Sequence, residues 1–236
     1  MVKVLELFSG TGSVSKVCDQ LGWDTLSVDI DGRADIKCDI LTWDYKQFNK
    51  DEFDIIWASP PCATFSALQY SWIGRKRDGK IFTREDIDNN MAQIGDPLAQ
   101  RTLEIINYFD CEYWFMENPN TGRMKDRPYM KDLPYYIVDY CMYSDWGYRK
   151  RTRIWTNKKN WIAKTCDGAG TCGNMIEGSH TTNLGREGNT KDEYRLRLKH
   201  KEEVSKQKYV SGATKRTTLD DRYRIPEDLI FSLFLD

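Results

Sequence analysis

The sequence has no hydrophobic run approaching the roughly 20 residues of a membrane helix. Its opening, Met1-Val2-Lys3-Val4-Leu5-Glu6-Leu7-Phe8, lacks the apolar region and the small-residue cleavage site of a secretory signal. A membrane partner and a secretory route are therefore not expected, and the expected compartment is the cytoplasm. Internal repeats are absent. Charge of one sign is not in excess: 35 basic residues face 36 acidic ones, for a net charge of −1. That balance neither implies nor excludes a nucleic-acid partner, because distribution matters more than the sum. The seven cysteines are odd in number and mostly scattered, which argues for reduced thiols rather than a disulfide framework.

What is present is a globular composition, 40% apolar and 30% charged over 236 residues, enough for one sizeable domain or for one domain with a small appendage. Val2–Phe8 alternates and is rich in aliphatics, as a first strand would be. Ser9-Gly10-Thr11-Gly12 follows, and Ser13–Leu21 reads as a helix ended by Gly22. Strand, glycine turn and helix form a nucleotide-type opening of an α/β sheet, in which a ligand meets the helix N-terminus. The third glycine of the dinucleotide fingerprint is missing, since Val14 and Ser15 occupy its neighbourhood, and this counts against NAD. Trp23–Asp29 reads as a second strand ending in an acid that could hold a ribose. Asp35–Ile40 reads as a third, with Asp39 near its end.

Ile55–Ser59 reads as a short buried strand, stopped by Pro60-Pro61 and followed at once by Cys62. At the carboxyl edge of a parallel sheet a stiffened thiol is a candidate nucleophile; a buried structural cysteine is the ordinary alternative. From Ala67 to Gly95 the sequence is polar and charged, as in a long loop that serves as a lid. Asp96-Pro97 reads as an N-cap and first helical position, opening a helix over Leu98–Phe109. Tyr113–Met116 is the next buried strand, ended by Glu117-Asn118-Pro119. Tyr135–Tyr143 reads as another strand. Trp146–Thr156 reads as a turn into a further strand, on which Arg149, Arg151 and Arg153 alternate. Three like charges on one face call for a phosphate or carboxylate nearby.

Residues 157–215 are polar and poor in aliphatics, a small irregular segment or insertion. Cys166, Cys172 and His180 in it could bind zinc, but a fourth ligand is missing and the spacing is loose, so no residue is assigned to a metal. Basic clusters occur at Arg75–Arg77, Arg149–Arg153, Lys158-Lys159, Arg195–Lys201 and Lys215-Arg216. Each is a solvated face or a phosphate contact. Pro226-Glu227-Asp228-Leu229 opens a short terminal helix.

Taken together, this order resembles the DNA cytosine-5 methyltransferases. Phe8-Ser9-Gly10-Thr11-Gly12 is similar to the family's F-x-G-x-G, and Pro60-Pro61-Cys62-Ala63-Thr64-Phe65-Ser66 to its P-P-C-x-x-F-S, the most specific match. Glu117-Asn118-Pro119 resembles E-N-V, and Arg149-x-Arg151-x-Arg153 resembles Q-x-R-x-R. Departures are Ser59 in place of a usual glycine, a short variable segment, and no recognisable late G-N motif. The resemblance implies a Rossmann-like α/β methyltransferase fold, a mostly parallel sheet with helices on both faces and a small recognition insert. It divides the chain into a catalytic domain over 1–156, a target-recognition segment over 157–215, and a C-terminal helix over 216–236 packing back on the catalytic domain.

The resemblance further implies S-adenosyl-L-methionine as cofactor, held by Phe8, Ser9, Gly10, Thr11, Gly12, Asp29, Ile30, Asp39, Ile40 and Pro60. It implies catalysis by Cys62, Glu117, Arg151 and Arg153. The partner implied is double-stranded DNA, bound by a monomer, with room for a cognate restriction endonuclease in a bacterial or viral setting. Chemically, carbon 5 of cytosine is a poor nucleophile until a thiolate adds at carbon 6, which suits Cys62. A carboxyl such as Glu117 must hold a proton at N3 as the adduct forms. A base buried in a duplex must be flipped out to be reached. Two rivals stay open at this level: an amino-methyltransferase acting on cytosine N4 or adenine N6, and a non-catalytic DNA- or cofactor-binding module.

Overall fold

Val4, Leu5 and Leu7 are completely buried in the first strand, and Glu6 is nearly so. A strand buried on both faces belongs in the middle of a parallel sheet. The computed structural model describes residues 1–31, 33–77, 79–176, 178–181, 220 and 223–236. In it this strand, β1 (Lys3–Leu7), is followed by α1 (Ser13–Leu21), β2 (Asp24–Asp29), β3 (Ile36–Lys37) and β4 (Ile55–Ala58). Next come a hairpin of β5 (Lys76–Arg77) and β6 (Lys80–Ile81), then α2 (Arg84–Asn90) and α3 (Asp96–Tyr108). The chain continues through β7 (Tyr113–Pro119), β8 (Tyr135–Asp139), β9 (Arg151–Thr156) and a hairpin of β10 (Met175–Ile176) and β11 (Ser179–His180), and ends in α4 (Glu227–Leu235).

The main sheet has seven strands in the order β3-β2-β1-β4-β7-β9-β8. The first five in that order are mutually parallel, and β9 runs antiparallel to β7. The register sets Leu7 beside both Val28 and Ala58, and Ala58 beside Met116. Five strand ends therefore open on one edge. The order reverses between β1 and β4, where sheets of this kind bind ligands.

The chain divides into two compact units, Met1–Ile137 with Thr152–Ile162, and Val138–Arg151 with Ala163–Asp236. In the first, Leu5, Leu7, Ile56 and Ala58 lie in one core with Ala99, Ile105 and Ile106 of α3. Side chains alternate across a strand, so Glu6 points to the opposite face. There it meets α1, so the two helices cover opposite faces of the sheet. In the second unit, Leu229, Ile230, Leu233 and Phe234 of α4 are buried. Among the described residues no helix is long and apolar enough to cross a membrane. All seven cysteines are thiols.

The stretch Ala67–Gly95 departs from the expected loop. It holds the β5–β6 hairpin, and Thr83 and Asp86 form a reciprocal capping box that starts α2. The Thr83-Arg84-Glu85-Asp86 segment looked like a polar loop because a capping box is built from loop-favouring residues. Asp96 departs too. α2 passes through a π-helical turn, Met91–Gly95, directly into α3, so Asp96 caps nothing. Its buried carboxylate instead accepts Arg127 Nε at 2.8 Å and Tyr129 Oη at 2.6 Å.

Glu6 does what the expected glycine turn cannot. Gly12, the N-cap of α1, has no side chain to offer. Glu6 accepts instead, from Val14 N at 3.3 Å, Ser15 N at 3.1 Å and the Ser15 hydroxyl. These are the amides an N-cap side chain normally satisfies. Burial pushes the Glu6 carboxyl up to about 7 from an ordinary 4.5, against the pull of those hydrogen bonds. Between those values the native state binds more protons than the unfolded chain. The contribution to stability is thus full below about pH 4.5 and is lost as pH rises through about 7, a span of ~3 kcal/mol. The melting temperature of Glu6→Gln, relative to the parent, is expected to rise from about pH 5 to about pH 8. A difference that does not change with pH would show that Glu6 does not titrate there.

Candidate active site

All but one of the sequence-predicted site residues fall in the first unit, at the edge where its parallel strands end; Arg153 reaches that edge from the antiparallel β9. After β1 the backbone turns sharply: Phe8, Gly10 and Gly12 have positive φ of 59°, 47° and 65°. A bulky residue at positive φ is strained, and such strain gathers at ligand sites. The turn is tied to the end of β2. Gly10 N donates to Asp29 Oδ2 at 2.9 Å, and Asp31 N donates to Asp29 Oδ1 at 3.0 Å. Beside Asp29 the side chain of Ile30 is 76% exposed, an unusual place for an isoleucine. Asp39, after β3, is exposed and accepts Leu41 N at 2.9 Å. Ile40 is buried in the core, and its carbonyl accepts Arg101 Nε at 3.1 Å. Only its backbone can therefore serve a ligand at that edge.

Cys62 follows β4 in a turn held on three sides. Its thiol residue is half-buried, and Phe65 N closes a 3-10 turn on the Cys62 carbonyl at 3.1 Å. The buried amide of Gln69 donates to the carbonyls of Ala63 and Thr64, both at 2.8 Å. From β7, Asn118, with no exposed surface, donates Nδ2 to the Pro60 carbonyl at 2.9 Å. Arg123 N donates to the Phe65 carbonyl at 2.8 Å. The remaining side is closed by Gly95, in the π-helical turn. A Cβ there would lie 2.6 Å from Thr64 Oγ1 and 2.7 Å from Phe65 Cζ. Mid-helix π turns are frequently found at functional sites.

Glu117 precedes Asn118 in β7 and is 6% exposed. The register pairs Met116 with Ala58, so Glu117 and the Cys62 turn leave adjacent strands at the same edge. Arg153 of β9 sits opposite Asn118. Its Nε donates to Asn120 Oδ1 at 3.1 Å, and its guanidinium lies 3.7 Å from the Tyr135 ring centroid. Among the described residues Arg153 makes no ion pair.

Arg151 is placed differently. It belongs to the second unit, where it and Arg149 share the fully buried Asp139. Arg151 Nη2 lies 2.8 Å from Asp139 Oδ2, and Arg149 Nε lies 3.0 Å from Asp139 Oδ1. The anion that three alternating arginines called for is thus, for two of them, a carboxylate of the chain itself. Despite burial, those arginines and the Cys166 amide hold the Asp139 carboxyl below its usual range. The basic clusters Arg195–Lys201 and Lys215-Arg216 lie outside the described residues, as does most of the segment 157–215.

Sequence reasoning missed the supports. Glu6 could have been found as the one acid inside an apolar strand. Asn118 stood inside a recognised motif without a role, and nothing local marks Gly95, whose constraint is a contact made far along the chain.

A mostly parallel sheet whose edge gathers a strained glycine turn, two acids, a Pro-Pro-Cys turn and a buried glutamate is a Rossmann-like methyltransferase fold. No family model matches the chain. Over 176 residues it is 48% identical to the "Probable DNA (cytosine-5)-methyltransferase" of Frog virus 3 (isolate Goorha), covering 74% of this chain and 79% of that relative. The chain belongs to the DNA (cytosine-5)-methyltransferase family. It is also similar to the solved structures of Entamoeba histolytica methyltransferase EhMeth (15% identity, TM-score 0.47, 70% of this chain and 55% of that one). A further likeness is to Schizosaccharomyces pombe Dnmt2 methyltransferase (17% identity, TM-score 0.41, 70% and 52%). The chain spans about half the length of these two solved chains.

Gly95→Ala is expected to lose ~1–3 kcal/mol of stability, because the added methyl must displace Thr64 and Phe65. Methyl-transfer turnover should fall while cofactor affinity holds, since the cofactor-side strands are untouched. Unchanged turnover and melting temperature would show that this contact does not set the Cys62 turn.

Proposed function

We propose that the chain methylates carbon 5 of a flipped-out cytosine in double-stranded DNA, through a covalent adduct at Cys62. The observation that carries this reading is the Cys62 turn, hydrogen-bonded through Pro60 to the residue that follows Glu117. A nucleophile and a proton-holding acid are thereby fixed on neighbouring strands.

The cofactor proposed is S-adenosylmethionine, and the residues present fit it. Asp29 accepts two backbone amides with its two oxygens and stays partly exposed, which leaves it acceptor capacity for a ribose diol. The exposed Ile30 offers an apolar face beside it for a purine ring. Asp39 accepts one amide and keeps a second oxygen for an exocyclic amine. The positive-φ turn Phe8–Gly12 brings backbone close to a ligand at the start of α1. S-adenosylmethionine bound there supplies an electrophilic methyl group.

The chain's own residues do the rest. Cys62 Sγ adds to carbon 6 of the cytosine, and Glu117 gives a proton to N3, so that carbon 5 gains the electron density of an enamine. Arg153 holds the carbonyl oxygen or a flanking phosphate; its Tyr135 and Asn120 contacts fix the guanidinium plane. Once carbon 5 has taken up the methyl group, loss of its proton to water re-forms the double bond and releases the Cys62 thiolate, and N3 returns its proton to Glu117. Arg151, bound to Asp139, acts on the substrate only at one remove, by holding the strand that carries Arg153. The exposed hairpin Lys76–Arg77 and Lys80–Ile81, with Arg77 stacked 3.9 Å over Trp72, contributes phosphate contacts that weaken as salt rises. Target recognition falls to residues 157–215.

Fluorine at carbon 5 cannot leave as a proton does. Duplex DNA carrying 5-fluorocytosine, with S-adenosylmethionine, should therefore give a covalent protein–DNA band on a denaturing gel. The band should vanish in Cys62→Ser. In Glu117→Gln turnover on ordinary DNA should fall by about 10²–10⁴-fold. Labelled methyl reaching DNA at an undiminished rate in Cys62→Ser would contradict the mechanism.

A further inference from the structure

The second unit carries a feature that methyl transfer does not use. Cys166, Cys172 and His180 come together, and Cys141 joins them. Their ligand atoms, three Sγ and one imidazole nitrogen, all lie within 4.8 Å of one another. The sequence hid the fourth ligand because Cys141 sits in the Tyr135–Tyr143 run that reads as strand. The chain instead leaves β8 at Asp139 and makes a 3-10 turn, Tyr140–Met142, that turns Cys141 inward.

We propose that Cys141, Cys166, Cys172 and His180 bind one structural zinc ion. With Zn–S of about 2.3 Å and Zn–N of about 2.0 Å, a tetrahedral site requires S···N edges of about 3.5 Å. The Cys172 Sγ–His180 Nε2 and Cys166 Sγ–His180 Nε2 distances are 3.5 and 3.7 Å. Cys141 and Cys166 are 1% and 3% exposed, so the site is closed on one side. Four protein ligands fill a tetrahedron and leave no position for a substrate, which makes the site structural rather than catalytic. Three thiolates and one imidazole favour zinc over harder cations.

The surroundings hold the ligands in place. The buried Asn174 amide donates to the carbonyls of Cys141 at 2.8 Å, Ser144 at 2.8 Å and Cys172 at 3.1 Å. Cys166 N donates to Asp139 Oδ2 at 2.8 Å, and Arg149 Nη2 donates to the Cys166 carbonyl at 3.0 Å. The β10–β11 hairpin pairs Met175 with His180 and returns the imidazole to the cysteines. Between Ala163 and Thr181 the only large apolar residues are Met175 and Ile176. Such a segment cannot order itself by burial, and a bound metal supplies the missing folding energy.

The test is metal content of the whole chain, purified under reducing conditions without chelator, by inductively coupled plasma mass spectrometry. About one zinc per chain is expected. Cys141→Ser and Cys172→Ser should each fall well below that, while Cys111→Ser, outside the cluster, should keep it. If the serine variants fail to fold, the parent chain stripped by chelator and refilled with Co²⁺ provides the second reading. Tetrahedral thiolate d–d absorption should appear and be displaced by Zn²⁺. No stoichiometric metal combined with no Co²⁺ spectrum, iron in place of zinc, or a disulfide among the three cysteines by mass spectrometry would each overturn the proposal. The readout is independent of methyl transfer, so the two proposals fail separately.

Discussion

The hydrogen bond from Asn118 to the Pro60 carbonyl is the constraint on which the catalytic edge depends. Parallel pairing of β4 and β7 brings two strand ends together, but pairing stops at Ala58 and Met116. Beyond that point the two prolines have no amide hydrogen to continue the ladder. A buried side-chain amide takes over, and it leaves no surface exposed. Removing it would leave a buried carbonyl without its partner, at a cost of ~1–3 kcal/mol. The same interaction explains why asparagine stands between the glutamate and the proline: the amide is short enough to stay in the ladder and polar enough to replace it.

A second regularity is the use of buried acids as organisers. Glu6 satisfies the first amides of α1 where a glycine cap cannot. Asp96 gathers Arg127 and Tyr129 onto the start of α3. Asp139 gathers Arg149, Arg151 and the Cys166 amide in the second unit. Each satisfies several donors at once, as a buried carboxylate must. They differ in charge balance. Asp139 has two guanidinium partners, which hold its carboxyl low, whereas Glu6 has only neutral donors and is pushed up by burial.

The strand order and the residues at the strand ends were legible in the sequence, for a physical reason. The strands β1, β4 and β7 are largely buried runs and β2 is a half-buried one, and all four are ended by residues with strong local meaning: glycines, paired prolines, Glu-Asn-Pro and an acid. Such signals are local, and the order of elements then fixes which ends share an edge. Asp29 and Ile30 stand at that edge, while the Ile40 side chain is buried in the core. What was not legible depends on contacts between distant segments. Gly95 matters because of Thr64 and Phe65. Cys141 matters because of Cys166, Cys172 and His180, and its local pattern reads only as strand. Thr83–Asp86 failed for the opposite reason, since its local signal fits both a loop and a helix start.

The central claim is that Cys62 activates carbon 5 of cytosine. It is tested most directly by following the hydrogen that must leave. DNA tritiated at carbon 5 of cytosine should release tritium to water in step with methyl incorporation, one for one. Cys62→Ala should abolish both together while the melting temperature stays near that of the parent. Methyl incorporation without tritium release would place the methyl on an exocyclic nitrogen and contradict the account.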